Sequence, residues 1–455
     1  MCRGRFWPLD PGVDFRPWDR NCRGCRPAAV VATGRGGCVS VRHPLIVAAE
    51  PAEIAAKPQP PAPIWWQGGS LACGPRGLTI GGAAVVDWVA QHQTPLYIYD
   101  RARIDEHLHT LRTALTQTGK QFSIYYAIKA NRFEPLLAHL RHTGLVGIDA
   151  CSPREVQLAL DAGFTADQIS VTASALADRD LAAFVRHGAH CNLDSADGVR
   201  RYARLAPAGT AIGLRLDPET QLGYGDATKL NYSGGKLGLA VEDLMEVAQL
   251  AQSLGLVVDT LHLHLGWGIR SNDVDAMGQA LGQIADFARQ LPTVTVLNVG
   301  GGLGGRLQPD DHPLPPAQWA ALLAAAFADL PITIACEPGT LLVSHAGLLV
   351  TQVTSTFVKK GQHWAGVDAG LGVNVYAAHY AAPLSVIHVE RPLQGAVHRW
   401  HIAGHINEAA DVMARNVQAG DCQNGDLLAF FPAGAYGSSM ASDHCLRGQF
   451  SELLV

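Results

Sequence analysis

Residues 122–133 read FSIYYAIKANRF. The segment SIYYAI (123–128) is mostly apolar and aromatic, which is typical of a buried strand, and Lys129 follows it directly. A lysine at that point is either a surface residue whose ammonium reaches water or a nucleophile held in a pocket. The rest of the chain has to decide between these two interpretations.

Segments with the same strand character recur after Lys129, and stretches with apolar residues at helical spacing separate them. The first five strands end about 22 residues apart, which is the length of one strand–helix unit. Eight such units over about 240 residues predict a (β/α)8 barrel, with a doubly wound sheet as the alternative. The seven further strands are VGIDA (146–150), ISVTA (169–173), HCNLD (190–194), AIGLRL (211–216), DTLHLHL (259–265), VTVLNV (294–299) and ITIAC (332–336).

The regions on either side of this pattern differ in composition. Residues 1–66 are rich in Arg, Pro and Gly without apolar periodicity, so we expect a disordered extension with no structural role. Residues 67–100 should contribute strands to a second domain, and residues 101–345 should form the barrel. Residues 346–455 alternate β-branched and aromatic residues with turns, which predicts a C-terminal antiparallel β domain.

The bulk composition excludes several classes of protein. The chain has 455 residues and a net charge of −5, which gives no electrostatic reason to expect nucleic acid. It has no apolar run long enough to span a bilayer and no recognisable signal peptide. Cys22 and Cys25 form a C-x-x-C pair, but zinc needs a second such pair, which the extension lacks. Cysteines such as Cys151, Cys191 and Cys336 lie singly in apolar segments, as reduced thiols do, so we expect a soluble cytoplasmic protein.

In a (β/α)8 barrel the chemistry lies at the carboxyl ends of the strands. Those ends carry Lys129, Asp149, His264, the glycines Gly300–Gly302 and Glu337. The loop after the seventh strand often binds phosphate through bare backbone N–H groups, and here it holds the three glycines. A phosphate loop, a lysine, a histidine for ring stacking and a carboxylate are what pyridoxal 5'-phosphate needs. Lys129 is therefore predicted to be a covalent anchor.

Seven motifs resemble, in the same order, those of the fold-type III pyridoxal-phosphate decarboxylases, whose members include the diaminopimelate, ornithine and arginine decarboxylases. The motifs are YYAIKAN, HLHLGWG, LNVGGGLG, CEPGTLLVSHAGLL, GVDAG, NEAAD and AGAYGSSMAS, and diaminopimelate decarboxylase is the member they resemble most. The resemblance extends from about residue 70 to the C-terminus. It implies a barrel with a C-terminal β domain, a homodimer with shared active sites, and removal of the α-carboxylate of an amino acid, as in lysine biosynthesis.

The resemblance also implies a role for each matching residue. Glu337 favours a decarboxylase over a racemase, because barrel-fold racemases typically place an arginine at the pyridine nitrogen, which weakens the ring as an electron sink. The implied roles are Lys129 as the Schiff-base lysine, His264 stacked on the ring, Gly300, Gly301 and Gly302 at the phosphate, Glu337 at the pyridine nitrogen, Asp149 and Tyr436 beside the cofactor, and Glu408 entering from the partner subunit.

The sequence departs from the family pattern at several of these positions. Asn407 replaces the catalytic cysteine, and an amide cannot act as a general acid. Trp267 and Thr340 replace a serine and an arginine that help to hold the phosphate, so backbone donors should take a larger share. The segment VDAGLGVNVYAAHY (367–380) lacks the arginine expected to pair with a distal substrate carboxylate. Arg270 is a candidate substitute, although a plain surface arginine is an equal alternative.

These departures leave three functions open. The first is an amino-acid α-decarboxylase of the diaminopimelate type. The second is a decarboxylase of an unusual or carrier-bound amino acid in a secondary pathway, which Trp267 and the missing arginine favour. The third is a catalytically inactive homologue that acts as a binding partner, with Asn407 and Thr340 as marks of decay.

Overall fold

The computed structural model describes residues 64–220, 222–224, 233–395 and 397–455. The C-x-x-C pair and nearly all of the expected N-terminal extension lie outside these ranges. Residues 64–66, which the sequence assigned to the extension, are described and packed: Trp66 is buried, and the ring of Trp65 lies 5.8 Å from that of Phe431. The packed part of the chain therefore includes at least residue 64 onward.

The first elements form a small antiparallel sheet and lead into the barrel. The sheet contains β1 (Ala72–Gly74), β2 (Gly77–Ile80) and β3 (Ala83–Ala84), and α1 (Val85–His92), β4 (Leu96–Tyr99) and α2 (Arg101–Thr116) follow. The strand β4 is completely buried, since all four of its residues are shielded from solvent. Such a strand needs a partner on each edge, and the C-terminal domain supplies them.

Eight parallel strands close into a barrel, which confirms the predicted fold and excludes the open doubly wound sheet. Each of the eight predicted segments overlaps a barrel strand. The strands are β5 (Phe122–Ala127), β6 (Gly147–Ala150), β7 (Ile169–Thr172), β8 (His190–Leu193), β9 (Ala211–Arg215), β11 (Val257–His262), β13 (Val296–Asn298) and β14 (Thr333–Cys336); β10 (Leu222–Gly223) and β12 (Gly266–Trp267) pair outside the barrel.

Amphipathic helices cover the outside of the barrel. The helix α4 begins with a side-chain cap: the Ser152 hydroxyl accepts the backbone N–H of Glu155, and Pro153 occupies the first turn. The helices are α3 (Glu134–Thr143), α4 (Pro153–Asp161), α5 (Asp178–His187), α6 (Ala196–Ala203), α7 (Leu244–Ser253), α8 (Val274–Gln290), α9 (Pro316–Ala326) and two short ones, α10 (Thr340–Val343) and α11 (Val375–Tyr380). No helix among the described residues is long and apolar enough to cross a membrane.

A mostly antiparallel β domain follows the barrel. The 13-residue strand β15 organises it, because its first half pairs with β4 and β20 and its second half pairs with β16. The strand β21 at the C-terminus returns to pair with β4. The strands are β15 (Gly347–Lys359), β16 (Gln362–Val367), β17 (Ser385–His388), β18 (Trp400–Ala403), β19 (Val412–Val417), β20 (Leu427–Phe431) and β21 (Ser451–Leu454).

Candidate active site

A cavity of about 550 Å³ lies at the carboxyl ends of the barrel strands. This volume falls within the range of roughly 300–1,000 Å³ that is usual for small-molecule sites. Five residues predicted from the sequence line it together: Lys129, His264, Gly302, Glu337 and Tyr436. Four of them follow barrel strands, and Tyr436 comes from the β domain. The cavity is therefore built by both domains.

Lys129 lies in a short turn after β5, and its ammonium pairs with the carboxylate of Asp149 on β6. Asp149 is fully buried, and its second oxygen, Oδ1, has no partner in the described part of the chain. Burial raises the pKa of Asp149, and the nearby carboxylate of Glu337 adds to the rise. Burial lowers the pKa of Lys129, but the charge of Asp149 outweighs the effect of burial. The pKa of Lys129 therefore lies well above its usual value. The lysine is thus held as an ammonium in the cavity lining.

Glu337 follows β14 and is held by three side chains from other strands. His262 Nε2 donates to one oxygen at 3.1 Å, Asn298 Nδ2 donates to the other at 2.9 Å, and Thr172 Oγ1 approaches that second oxygen at 3.4 Å. Burial raises the pKa of Glu337, but His262 and Lys129 outweigh it and hold the pKa below its usual range. Glu337 is therefore an ionised carboxylate in a fixed orientation.

His264 presents a neutral imidazole to the cavity. Burial lowers its pKa to about 3, and the nearby charges of Arg215 and Lys129 contribute to the decrease. The backbone N–H of Gly301 donates to Nδ1 at 3.2 Å, which places the ring proton on Nε2. A neutral ring fixed in this way is suited to stacking on a flat aromatic ligand.

The three glycines after β13 have different surroundings. The N–H of Gly300 donates to Asn298 Oδ1 at 3.0 Å, and the N–H of Gly301 is used by His264. A Cβ on Gly301 would lie 2.5 Å from the carbonyl oxygen of Glu337, so only glycine permits this approach. Gly302 alone of the three lines the cavity. The phosphate-binding role of the glycines stays a prediction, and Gly302 is the member placed to perform it.

Two positions that depart from the family pattern contact each other in the cavity wall. The indole N–H of Trp267 donates to Thr340 Oγ1 at 3.3 Å. The ring of Tyr376 stacks on that of Tyr436 with centroids 5.6 Å apart and meets Trp267 edge-on at 6.0 Å. This side of the cavity is consequently an aromatic wall.

Asp149, Gly300 and Gly301 do not line the cavity but bond to Lys129, Asn298 and His264, whereas three other predicted residues are separate from the cavity of their own chain. Asn407 and Glu408 are exposed on a loop of the β domain, where Glu408 pairs with His444 at 3.2 Å. The guanidinium of Arg270 lies over the ring of Tyr224, 4.5 Å from its centroid, and does not line the cavity. The structure thus does not bring these three residues to Lys129 within a single chain.

Several cavity residues were not predicted from the sequence. Arg215 ends β9 and is 8% exposed. It lines the cavity together with Cys151 and Lys236. The strand-end argument applied to AIGLRL (211–216) would have found Arg215. Cys151 follows β6, where burial raises the pKa of its thiol to about 12. Tyr376 belongs to a β-domain helix that carries no strand-end signal.

Comparison with known proteins agrees with this geometry. Residues 101–344 match the model of the pyridoxal binding domain of pyridoxal-dependent decarboxylases. The chain belongs to this family. It is 32% identical to the diaminopimelate decarboxylase of Methanothermobacter thermautotrophicus over 390 residues, which cover 83% of this chain and 90% of the relative. It is 30% identical to the Pseudomonas fluorescens enzyme of that name, over 82% of this chain and 90% of the relative.

A solved structure shares the whole architecture. The crystal structure of diaminopimelate decarboxylase from Helicobacter pylori complexed with L-lysine is 25% identical and superposes with a TM-score of 0.75, covering 81% of this chain and 93% of that one. Family membership makes pyridoxal 5'-phosphate the cofactor. The residues present fit it: Glu337 is an ionised acceptor for a protonated ring nitrogen, and Asp149 Oδ1 is a buried acceptor beside Lys129. Gly339 lines the cavity and packs closely against the lysine turn, since a Cβ at this position would lie 2.9 Å from that of Ala130.

Proposed function

We propose that this chain is a diaminopimelate decarboxylase, which removes one carboxylate from diaminopimelate to yield lysine. The observation that carries the proposal is that Lys129, His264 and Glu337 face one cavity at the carboxyl ends of the barrel strands. The named relatives at about 30% identity, and the lysine-bound structural neighbour, supply the substrate class.

When bound, pyridoxal phosphate supplies the electron sink for the negative charge left on the α-carbon as the carboxylate departs. The chain's own residues prepare that chemistry. Lys129 is the amine that would hold the cofactor, and Asp149 keeps its proton on Nζ when the amine is free. Glu337 would accept a hydrogen bond from the protonated ring nitrogen and so keep the proton there, and His264 would orient the ring by stacking on it. Trp267 and Tyr376 supply an apolar wall on one side of the cavity.

A direct test of this proposal is covalent labelling of the purified holoenzyme. Borohydride reduction should fix the cofactor on the peptide that contains Lys129, and Lys129→Ala should abolish the label. In a separate assay, holoenzyme that has not been reduced should release CO₂ from meso-diaminopimelate. A protein that binds no pyridoxal phosphate, or one labelled at a different lysine, would remove the proposal and leave a binding protein as the function.

A second candidate substrate class follows from the surroundings of Arg270. Its guanidinium stacks on Tyr224, and an aromatic wall occupies the side of the cavity near Tyr376. This arrangement suits an amino acid without a free distal carboxylate, including a carrier-bound one. CO₂ release should be measured in parallel from lysine, ornithine and arginine. Turnover of one of these with none from meso-diaminopimelate would favour this second class.

We also propose that the active form is a homodimer with shared sites. Asn407 and Glu408 lie on an exposed loop outside their own cavity, so they are free to reach the cavity of a second copy. Mixing inactive Lys129→Ala with inactive Glu408→Ala subunits should restore about a quarter of the wild-type activity, because half of the dimers would be hybrids with one intact site each. No recovery on mixing would contradict shared sites.

The six described cysteines are free thiols, which supports the expected cytoplasmic location.

A further inference from the structure

One thiol lies in the lining of the cavity that holds Lys129. Of the six described cysteines, Cys151 alone lines this cavity. Cys151 directly follows β6 and comes two residues after Asp149, the partner of Lys129. Side chains two residues apart in an extended chain point to the same side. The thiol is therefore placed on the side of the chain that faces Lys129.

Hydrogen bonds fix the backbone at Cys151. Its N–H donates to Oε2 of Glu155 at 2.6 Å, and the N–H of Glu155 donates to the Ser152 hydroxyl at 3.2 Å. Ser152 and Glu155 belong to the capped first turn of α4. Cys151 is thus held between the end of a barrel strand and the start of a helix, with little freedom to move away from Lys129.

The thiol of Cys151 carries its proton at neutral pH. Burial raises its pKa to about 12, although the charge of Lys129 opposes the rise. The same charge would stabilise a thiolate at this position. Cys151 can therefore give a proton to a strong base formed in the cavity, and Lys129 can support the sulfur that is left behind.

Decarboxylation creates such a base. Loss of the substrate carboxylate leaves an electron pair on the α-carbon, and a proton has to reach that carbon. The amine on the α-carbon takes the place of the Lys129 amine, so the α-carbon comes next to Lys129 and the groups around it. Asn407, at the position of the family's cysteine, is an amide and is exposed outside the cavity of its own chain. Cys151 carries the functional group that Asn407 lacks.

We propose that Cys151 is a catalytic residue whose thiol delivers the proton to the α-carbon after CO₂ has left. The inference deepens the proposed function and rests on it for the decarboxylation itself. The bond between the α-carbon and the carboxylate breaks and leaves its electron pair on the substrate. The S–H bond of Cys151 then breaks as the new C–H bond forms. The Lys129 ammonium returns a proton to the thiolate and becomes a neutral amine, and the product amine takes up a proton from water on release.

The first arm of the test asks whether Cys151 lies at the bound cofactor, and it needs no turnover. Iodoacetamide should alkylate Cys151 in cofactor-free wild-type protein at alkaline pH. Pyridoxal phosphate at about 100 times its dissociation constant should slow this reaction about 100-fold, because only about 1% of the sites stay empty. Mass spectrometry follows the labelled peptide, and the exposed Cys445 is the internal reference, which should not change. Equal alkylation of Cys151 with and without pyridoxal phosphate would overturn the inference.

The second arm follows the proton. Cys151→Ala should lower kcat about 100-fold or more with little change in KM, as expected when a general acid is lost. Without its donor, the α-carbon should lose the proton to the cofactor more often, so a larger share of turnovers should yield pyridoxamine phosphate. Chromatography of the released cofactor measures this share, which a merely structural change would not raise. Cys151→Ser keeps the size of the side chain with a far weaker acid and should behave like Cys151→Ala. Cys191→Ala is the matched control, since Cys191 is a buried thiol on β8 that does not line the cavity.

The possible outcomes separate this inference from the proposed function. Unchanged kcat in both Cys151 variants, or a lower kcat without additional pyridoxamine phosphate, would overturn the inference and leave the enzyme assignment intact. The assays use whichever amino acid the wild type decarboxylates, so they do not depend on diaminopimelate. Wild-type protein that binds no pyridoxal phosphate, or releases CO₂ from none of the amino acids, would instead overturn the proposed function, and the inference with it.

Discussion

The backbone N–H of Tyr436 donates to the carbonyl oxygen of Ala130 at 2.6 Å, which ties the β domain to the turn that carries Lys129. Ser439 Oγ adds a bond to the carbonyl of Lys129 itself at 2.8 Å, and Asn131 Nδ2 donates to Gly434 at 3.0 Å. The position of the lysine is therefore set by both domains. The barrel alone does not hold this turn.

Ser439→Ala tests the contribution of this clamp. The hydroxyl also reaches the carbonyl of Ala130 at 3.2 Å, so the change leaves two carbonyls with one partner fewer. We expect the free energy of unfolding to fall by about 1 kcal/mol and kcat to fall while KM changes little. Urea denaturation and steady-state kinetics measure the two effects. Ser253→Ala, which removes a hydroxyl–carbonyl bond in α7 far from the cavity, is the control, and equal kinetics in both variants would refute the clamp.

Asp149→Asn tests the counter-ion of Lys129. The carboxylate raises the pKa of the lysine, so its removal should lower that pKa by about one unit or more. In cofactor-free protein, mass spectrometry measures the rate of Lys129 acylation as a function of pH. The pH at which this rate is half-maximal should be lower in the variant than in wild type. Acylation of the exposed Lys359 in the same samples is the internal reference. An unchanged midpoint at Lys129 would show that the ion pair does not control its protonation.

The barrel was predictable from sequence because its strands are buried on both faces and therefore appear as short apolar runs at a regular spacing. The lysine, the glycines and the carboxylate were found for a related reason, since a closed parallel barrel brings all strand ends to one face. The residues 64–66 were misassigned to the extension because the proline-rich composition before them hides two tryptophans that pack against the β domain.

The aromatic wall was less predictable, since Tyr376 and Tyr436 come from the β domain and no local pattern reports a contact between domains. Trp267 and Thr340 are 73 residues apart in the chain, and their hydrogen bond appears only in the folded protein. From the sequence alone, Thr340 was a candidate mark of decay, and Trp267 favoured an unusual substrate. Arg270 was a candidate for binding a distal substrate carboxylate, with a plain surface arginine as an equal alternative. It stacks on Tyr224, whereas Arg215 ends a strand and lines the cavity.

His264 predicts a pH dependence of stability. Burial lowers its folded pKa to about 3, whereas a histidine in an unfolded chain titrates near 6.5. Between these values the unfolded state binds a proton that the folded state does not, so the free energy of unfolding falls as pH drops below about 6.5. This one group changes the free energy of unfolding by at most about 1.4 kcal/mol per pH unit.

His264→Gln isolates that contribution, because the variant removes the titrating group and retains a polar side chain. Between pH 6 and pH 5 the cofactor-free variant should lose about 1 kcal/mol less stability than wild type. Urea denaturation at both pH values measures the difference, and His109→Gln on the exposed face of α2 is the control. Parallel losses in wild type and His264→Gln would mean that the ring is solvated and titrates normally.

Arg215 and Arg270 can be distinguished by the same substitution at each site. Arg215 is 8% exposed and lines the cavity, so Arg215→Met should remove a cation from the cavity wall. We expect the KM for the substrate or the dissociation constant of pyridoxal phosphate to rise about 10-fold or more, as for a lost hydrogen bond to a charged group. The guanidinium of Arg270 lies on Tyr224 outside the cavity, and Arg270→Met should change both constants by no more than about 2-fold.

The reverse result would reassign the substrate anchor. Suppose that Arg270→Met, and not Arg215→Met, raises the KM for diaminopimelate and leaves the inhibition constant of lysine, used as a competing ligand, unchanged. Arg270 must then leave Tyr224 to bind a distal carboxylate. Tyr224→Leu separates these cases, because it removes the ring on which the guanidinium stacks without touching any charge. With Arg215 as the anchor, Tyr224→Leu leaves the KM unchanged; with Arg270 as the anchor, freeing the guanidinium lowers it.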